Sequence, residues 1–264
     1  MSRNQRANTV QSVDRALAIL EALANEGQEV GLKDLSVMVG LDASTTHRLL
    51  QTMMARGFVR QEEDGRKYSL GLRAFEVGNA VAYVAQVRQL ARPVLQGLTE
   101  KTEETSNLAV RDGWNGVYVE QEPGPHFLRM LTEVGRVIPL HCTAVGKVLL
   151  AGLGDDGLDR FLRQGRLSPY TTRSIAAPEE LVQEIHWVRA NGYAVDDEEF
   201  EEGAKCVAAP VRDRSDQVVA AVSVSGPSVR FTPDRINLFI PLVKKAGVDI
   251  SRALGYKSIP SPGF

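Results

Sequence analysis

Features that would point to a disulfide-linked, metal-binding or membrane protein are missing from this chain of 264 residues. It has only two cysteines, Cys142 and Cys206, which lie far apart and form no CxxC pair, so neither a disulfide framework nor a zinc module is expected. No apolar run approaches the roughly 18 to 20 residues that span a bilayer, and the first residues are polar and basic. The sequence therefore predicts a cytoplasmic protein that does not cross a membrane.

Motifs of common enzyme classes are absent as well. The patterns GxSxG and HExxH do not occur. Gly146 and Lys147 do not form a phosphate loop, because Val148 follows them and no glycine lies five positions before Gly146. His141 and Cys142 are adjacent, so on a strand their side chains would diverge and make a poor base and nucleophile. We therefore expect a protein that is not an enzyme and that requires no metal and no cofactor.

The chain carries little net charge of either sign. Its formal net charge is −2, which argues weakly against a surface that holds nucleic acid by bulk attraction. Residues 1–73 contain 10 Lys and Arg against 9 Asp and Glu, whereas the remainder contains 21 against 24. The asymmetry has the sign of an N-terminal nucleic-acid-binding part but is small. Such binding would therefore rely on a few placed contacts.

Three amphipathic helices and a hairpin are predicted in the first seventy residues. Apolar residues recur at helical spacing over 12–26, 32–39 and 43–56. Suitable capping residues border each helix, namely Ser12, Gly31 and Asp42 at the starts and Gly27, Gly40 and Gly57 at the ends. Residues 58–60 and 66–70 favour strands joined by a turn at 62–65. This order is that of a winged helix-turn-helix.

The third helix is the expected DNA-reading element, because the second helix of a helix-turn-helix enters the major groove with its N-terminal residues toward base edges. Thr46 is expected to face inward, since it begins the stripe that continues with Leu49, Leu50 and Met53. The predicted DNA contacts are Ala43, Ser44, Thr45, His47 and Arg48 in this helix, Arg60, Arg66 and Lys67 in the wing, and Arg3, Arg6 and Arg15 toward the N-terminus. For His47, a base contact and an exposed neutral histidine without a role in DNA binding are equally good interpretations.

The remainder of the chain predicts an antiparallel sheet with helices packed on it. Residues 72–101 favour two helices that meet near Ala85 and Gln86, with Phe75, Val77 and Val84 as candidates either for a dimer seam or for docking within the chain. Predicted strands are 106–112, 116–121, 127–133, 193–199, 205–213 and 218–226, and predicted helices are 143–151, 158–163, 178–191 and 232–254. We expect three parts: residues 1–72, a helical linker over 73–86, and residues 87–264.

Three segments in order carry a resemblance to a known family. The chain contains SVDRALAILEAL followed by LKDLSVMVGLDASTTHRLLQTMMARGFV, then PLHCTAVGKVLLA, and finally GYAVDDEEFEEGAKCVAAPVRD with AAVSVSGPSVR. These segments resemble the IclR-type regulators, over roughly residues 9 to 255. The resemblance implies an α+β protein with an N-terminal winged helix-turn-helix, a helical linker and a C-terminal GAF-like antiparallel-sheet α/β effector domain.

The same resemblance implies a function and partners. Members bind double-stranded operator DNA and a small effector, usually an organic acid, and they act as dimers or as dimers of dimers. The expected function is that of a ligand-responsive transcriptional regulator, either a repressor or an activator. The alternative is a small-molecule hydrolase or transferase that carries a DNA-binding appendage.

Three features of the C-terminal half point to an effector pocket: a helix that begins at Thr143, the pair Asp196 and Cys206, and the pair Ser223 and Ser225. Thr143 can cap a helix whose N–H groups at Ala144, Val145 and Gly146 would face an anion, and Gly146 would let a ligand approach the backbone. An ordinary capped core helix is the alternative. Ser223 and Ser225 lie two residues apart and hence on one face of a strand. Met130 and Leu131 are candidates for an apolar wall.

Asp196 and Cys206 match, by the resemblance, ligand-contacting residues of members that bind small keto acids. Taken alone, Asp196 begins the acidic run DDEEFEEG, which is typical of a solvated loop, and Cys206 is typical of a buried small hydrophobe. A carboxylate repels an acid ligand unless it is protonated or bonds to a hydroxyl or carbonyl oxygen. Asp196 is therefore expected to read ligand polarity, or to position Cys206 and the serines, more than to bind an acid group.

Overall fold

The structure is a computed structural model that describes residues 10–62, 66–79, 82–130, 133–164 and 167–257. The chain divides into two compact units, Met1–Ala82 and Tyr83–Phe264, which we call the N-terminal and the C-terminal unit. Arg3, Arg6, Leu131 and most of the predicted turn at 62–65 lie outside the described residues. None of the helices in the described ranges combines the length and apolarity that a bilayer-spanning helix needs.

The N-terminal unit is a winged helix-turn-helix. Strand β3 pairs antiparallel with both β1 and β2, so that the small sheet has the order β1-β3-β2. Along the chain the elements are α1 (Gln11–Glu26), β1 (Val30–Gly31), α2 (Leu32–Met38), α3 (Ala43–Ala55), β2 (Val59–Gln61), β3 (Lys67–Leu70) and α4 (Leu72–Asn79). Ile19, Leu35 and Leu50 are fully buried where the three helices meet.

Capping residues set the ends of these helices. Asp42 Oδ1 accepts hydrogen bonds from Ser44 Oγ at 2.6 Å and from Thr45 N at 2.9 Å, and these bonds hold the pKa of the Asp42 carboxyl well below its usual range. Gly40 has a φ of 63°, which permits the tight turn between α2 and α3. The prediction for Ser12 is wrong: α1 begins after Val10, and Ser12 lies within its first turn.

The C-terminal unit is an antiparallel six-stranded sheet with helices on both faces. The strand order is β6-β5-β4-β9-β8-β7. The elements are α5 (Ala82–Thr102), β4 (Thr105–Asp112), β5 (Asn115–Glu122), β6 (Val137–Pro139), α6 (Ala144–Ala151), α7 (Gly154–Gln164), α8 (Pro178–Asn191), β7 (Ala194–Asp197), β8 (Ala204–Arg212), β9 (Val218–Pro227) and α9 (Pro233–Ala253). Together with the N-terminal unit, this makes the α+β fold that the resemblance implies.

Alternation along the strands divides the buried residues between two cores. Val222 and Val224 of β9 pack with α5 and α9, whereas Ala221 packs with α6, α7 and α8 on the opposite face. Because successive residues of a strand point to opposite faces, Ser223 and Ser225 point to the same face as Ala221. The prediction that the two serines share a face is confirmed, and that face is the one covered by α6.

Three predictions about the C-terminal half are wrong. Residues 127–130 form no strand, with bends at 127 and 128. Side chains bond to this backbone instead: Met130 O accepts from Thr105 Oγ1, and Leu128 O accepts from Arg230. The edge strand is β6 instead. Residues 85 and 86 lie inside α5, since its apolar stripe continues without interruption. Helix α7 starts four residues before the predicted 158, at Gly154.

The linker residues differ in their surroundings. Phe75 and Val77 are exposed on α4, whereas Val84 packs against the core between α5, α9 and the sheet. Of the two roles considered, docking within the chain therefore accounts for the apolar side chain of Val84. Phe75 and Val77 form an exposed apolar surface that could serve as a dimer seam.

Candidate functional site

The predicted DNA-reading residues of α3 lie along its first two turns. Ser44, His47 and Arg48 are exposed, Thr45 is half-buried, and Thr46 is fully buried as expected. This pattern places two hydroxyls, an imidazole and a guanidinium at the solvent side of the helix N-terminus. Such groups can donate to phosphate oxygens and read base edges, and the Ser44 hydroxyl does so only by releasing Asp42 Oδ1.

The wing contributes the cations Arg60, Arg66 and Lys67. Arg60 Nε donates to Ser69 Oγ at 2.8 Å, and Arg60 Nη2 lies 3.3 Å from Glu62 Oε1. Lys67 and Arg66 are exposed on the other side of the hairpin, and Arg15 is half-buried on α1. Arg60 must therefore leave or share its internal partners to contact phosphate.

A narrow cavity lies at the N-terminus of α6 in the C-terminal unit, and its free volume is about 30 Å³. It is lined by Tyr118, Met130, Arg136, Thr143, Ala144, Asp196, Phe200, Glu201, Ala204, Lys205, Cys206 and Ser225. Six of the nine predicted effector residues are brought together here, namely Met130, Thr143, Ala144, Asp196, Cys206 and Ser225. Val145, Gly146 and Ser223 do not line it.

Val145 and Gly146, the two predicted effector residues of α6 that do not line the cavity, have structural roles. Val145 is fully buried in the core beneath α6. Gly146 N donates to Thr143 Oγ1 at 3.1 Å, and Thr143 Oγ1 donates to Pro139 O at 2.7 Å. A Cβ at Gly146 would lie 2.5 Å from Leu140 Cα. The predicted ligand contact of Gly146 is therefore replaced by a contact with the chain's own backbone.

The two serines differ in what covers them. Ser223 is fully buried under α6, next to the Cys206 thiol, and its Oγ has no hydrogen-bond partner of normal geometry among the described residues. Ser225 is 5% exposed and lines the cavity. Its Oγ accepts from Asn107 Nδ2 at 3.0 Å, so its own proton is available for an acceptor in the cavity.

Asp196 is buried and is not part of a solvated loop. Its side chain is one of the polar groups of the cavity wall, and Asp196 Oδ1 accepts from Glu199 N at 2.8 Å. Burial raises the pKa of Asp196 from 3.8 to about 7, against the lowering effect of the hydrogen bond from Glu199 N. The carboxyl can thus change protonation near neutral pH, which agrees with its expected role in reading ligand polarity.

The raised pKa of Asp196 predicts a pH-dependent stability. Between about pH 4 and 7 the unfolded state loses this proton before the folded state does, so the free energy of unfolding falls as the pH rises. Asp196→Asn removes this penalty while its amide oxygen can still accept from Glu199 N. From pH 5 to pH 8 the wild type should therefore lose about 1 to 3 kcal/mol more than the variant.

Urea unfolding followed by tryptophan fluorescence measures this difference. Both tryptophans of the chain, Trp114 and Trp187, belong to the C-terminal unit, so the signal reports that unit alone. Parallel pH profiles for the wild type and Asp196→Asn would mean that Asp196 ionises at its ordinary pKa.

Sequence reasoning missed half of the cavity wall. Strand pairing places Tyr118 and Ala204 at the cavity, and the connection between β5 and β6 places Arg136 there. No local sequence pattern reveals these positions. Phe200 had a usable signal, because it is the one aromatic residue within the acidic run 196–202. Its ring packs edge-on to Tyr170 at 5.0 Å, and the Arg136 guanidinium lies 5.7 Å from its centroid.

Comparison with known proteins identifies the family. The model described as the IclR helix-turn-helix domain matches residues 12–63. The model described as the bacterial transcriptional regulator IclR C-terminal domain matches residues 79–252. The chain belongs to the IclR family. It is a transcriptional regulator with a helix-turn-helix DNA-binding domain and an IclR C-terminal domain.

Individual IclR-family proteins are similar over nearly the whole chain. The HTH-type transcriptional regulator XynR of Escherichia coli is 37% identical over 247 residues, which are 94% of this chain and 98% of XynR. The crystal structure of Thermotoga maritima IclR has a TM-score of 0.78 at 30% identity, covering 93% of this chain and 99% of that one. An IclR homologue of Microbacterium hydrocarbonoxydans, crystallised with 4-hydroxybenzoate, has the same fold, with a TM-score of 0.79 at 24% identity over 92% and 99% of the two chains.

Proposed function

We propose that this IclR-family protein binds operator DNA through α3 and the wing, and that a small organic acid in the α6 cavity modulates that binding. The observation that carries the proposal is the meeting of six predicted effector residues around one cavity. These residues come from the β5–β6 connection, α6, β7, β8 and β9, which are distant along the chain. We further propose a linker over 73–86 and assembly as a dimer or a dimer of dimers, for which exposed Phe75 and Val77 offer an apolar surface.

The groups of the cavity suit a small acid that also carries a hydroxyl or carbonyl oxygen. The Ser225 hydroxyl, the Tyr118 hydroxyl and the Arg136 guanidinium are donors. Asp196 suits a hydroxyl or carbonyl oxygen of the ligand, since an acid group beside it would be repelled once Asp196 ionises. Met130 supplies an apolar contact. The ligand of the Microbacterium protein, 4-hydroxybenzoate, has both kinds of oxygen and is a suitable first probe.

Ser225→Ala should abolish stabilisation by the acid ligand. The Ser225 oxygen accepts from Asn107, so the Ser225 proton is available to the ligand, and alanine removes this donor. A screen of 4-hydroxybenzoate and short keto acids by thermal shift finds the ligand, and binding at 100 times Kd stabilises by about 2.7 kcal/mol. Ser223→Ala is the matched control. It removes the same hydroxyl group from the same face of β9, but Ser223 does not line the cavity. Equal ligand shifts in both variants would show that the acid binds elsewhere.

Binding to operator DNA is tested separately in a gel shift with the full chain. The probe is a duplex selected from a random-sequence library, and a scrambled duplex of the same composition is the control. Preference for the selected duplex, reduced or enhanced by the acid found in the screen, is the expected result. Equal binding to both duplexes would contradict the regulator mechanism and favour the enzyme alternative.

A further inference from the structure

A lysine lies at the centre of the helix that borders the cavity. Lys147 is on α6, is only 1% exposed, and is flanked along the chain by buried apolar residues. Its Nζ lies 2.7 Å from Glu199 Oε1 and 2.9 Å from Glu184 Oε1. Burial alone would lower the pKa of Lys147, but the two carboxylates raise it. The ammonium group is therefore charged and paired inside the protein.

Glu199 connects this lysine to the cavity, and its two backbone groups are hydrogen-bonded as well. Its backbone N–H donates to Asp196 Oδ1 at 2.8 Å, and its carbonyl oxygen accepts from Ser174 Oγ at 2.5 Å. Its side chain is bonded to Lys147, and the next residue, Phe200, lines the cavity. Movement of Glu199 would therefore displace two parts of the cavity wall at once.

Glu184 has no such connection. It is on α8 with a side chain that is 27% exposed, compared with 10% for Glu199, and it does not line the cavity. The two carboxylates thus bind the same ammonium group at nearly the same distance, but only one of them belongs to a segment that forms the wall.

Stability alone is a weak explanation for the buried pair. Replacing a buried ion pair with apolar side chains of similar volume is often neutral or stabilising, because desolvation offsets the attraction between the charges. A hydrogen-bonded ion pair does, however, impose a direction and a distance that apolar contacts do not. We propose that Lys147 and Glu199 are positioning residues, whose bond holds segment 198–201 closed against the cavity and orients Asp196.

This inference rests on the proposed function only for its effect on the ligand. The closed wall itself can be measured without a ligand, by the rate at which iodoacetamide alkylates Cys206 in the full-length protein, quantified by peptide mass spectrometry. Cys206 lines the cavity and is 8% exposed. Cys142 is fully buried in the same unit and does not line the cavity, so its alkylation rate is the reference for opening that is not confined to the cavity wall.

Glu199→Ala should increase the alkylation rate of Cys206 about tenfold relative to that of Cys142, because it releases the wall by local opening. Glu184→Ala is the matched control and should stay within about twofold of the wild type. Each variant leaves Lys147 one carboxylate partner, so neither creates an unpaired buried charge. Equal rates in the two alanine variants, or equal acceleration of both cysteines in Glu199→Ala, would overturn the proposal.

Glu199→Gln separates position from charge. Loss of the Glu199 charge lowers the pKa of the Cys142 thiol, which burial and the nearby carboxylates of Asp196 and Glu199 raise to about 12, and so changes the reference rate without any movement. Glutamine loses this charge as alanine does, but its amide oxygen still accepts from Lys147 Nζ. We expect Glu199→Gln to stay within about threefold of the wild type, and a rate equal to that of Glu199→Ala would overturn the proposal in favour of an electrostatic effect.

A ligand found in the screen extends the test. Its thermal shift should be lost in Glu199→Ala and kept in Glu184→Ala, while both variants bind the selected duplex. If the screen yields no ligand, the proposed effector function fails, but the alkylation rates still decide whether Lys147 and Glu199 hold the wall.

Discussion

Gly146→Ala is expected to destabilise the C-terminal unit by about 3 kcal/mol. The added Cβ would lie 2.5 Å from Leu140 Cα and 2.6 Å from Leu140 O. These are backbone atoms of the corner that leads from β6 into α6. They cannot retreat without breaking the bonds of Thr143 Oγ1 to Gly146 N and to Pro139 O. The free energy of unfolding, from urea titrations followed by tryptophan fluorescence, measures the loss.

Gly97→Ala is the control for this substitution. Gly97 lies within α5 of the same unit, and a Cβ there would meet no atom within 4 Å. Alanine should stabilise that helix by up to about 1 kcal/mol, because it loses less backbone entropy on folding. If Gly146→Ala instead keeps wild-type stability and loses only the thermal shift by the acid, the glycine serves ligand approach and the packing explanation is wrong.

Arg48→Ala should weaken binding to the selected duplex by about 1 to 3 kcal/mol per recognition helix, or about 5- to 150-fold in Kd, with little change for a scrambled duplex. Arg48 is exposed in the N-terminal half of α3, and its guanidinium makes no ion pair or hydrogen bond among the described residues. It can therefore fork onto a base without breaking an internal contact. Gel shifts at fixed salt give both affinities.

Arg56→Ala is the matched control on the same helix. Arg56 is exposed at the C-cap of α3, so the substitution removes the same charge at the end that is expected to lie away from the base edges. It should weaken binding to both duplexes alike, by loss of general attraction to phosphate. If Arg48→Ala also weakens both duplexes equally, Arg48 contacts phosphate and another residue of α3 reads the bases.

Local patterns were sufficient where one chemical feature decides one local structure. Asp42 and Thr143 both cap the helices that follow them, as predicted, because an acceptor side chain at that position satisfies a free N–H group. The alternation of side chains along a strand correctly predicted that Ser223 and Ser225 share one face. Helical spacing correctly predicted that Thr46 is buried. The same reasoning failed for 127–133, where an apolar run resembles a strand but Thr105 and Arg230 take its backbone groups.

Lys147 shows a signal that the sequence contains and that pattern reasoning did not use. A charged residue inside the apolar run of α6 implies a buried partner of opposite charge, since an unpaired buried charge is too costly. The sequence does not name the partners, because Glu184 and Glu199 are 37 and 52 positions away and many other carboxylates are available.

The sequence alone determined the helix-turn-helix, the Asp42 cap of its third helix, the shared face of Ser223 and Ser225 and the family, since each depends on neighbouring residues or on motifs read in order. The tertiary structure decided which predicted residues meet at the cavity. It excluded Ser223 because α6 covers it, and it excluded Gly146 because the Leu140 backbone occupies the space beside it. It also raised the pKa of Asp196 to about 7 by burial. Burial and close packing arise from segments far apart in the chain, so no local pattern contains them.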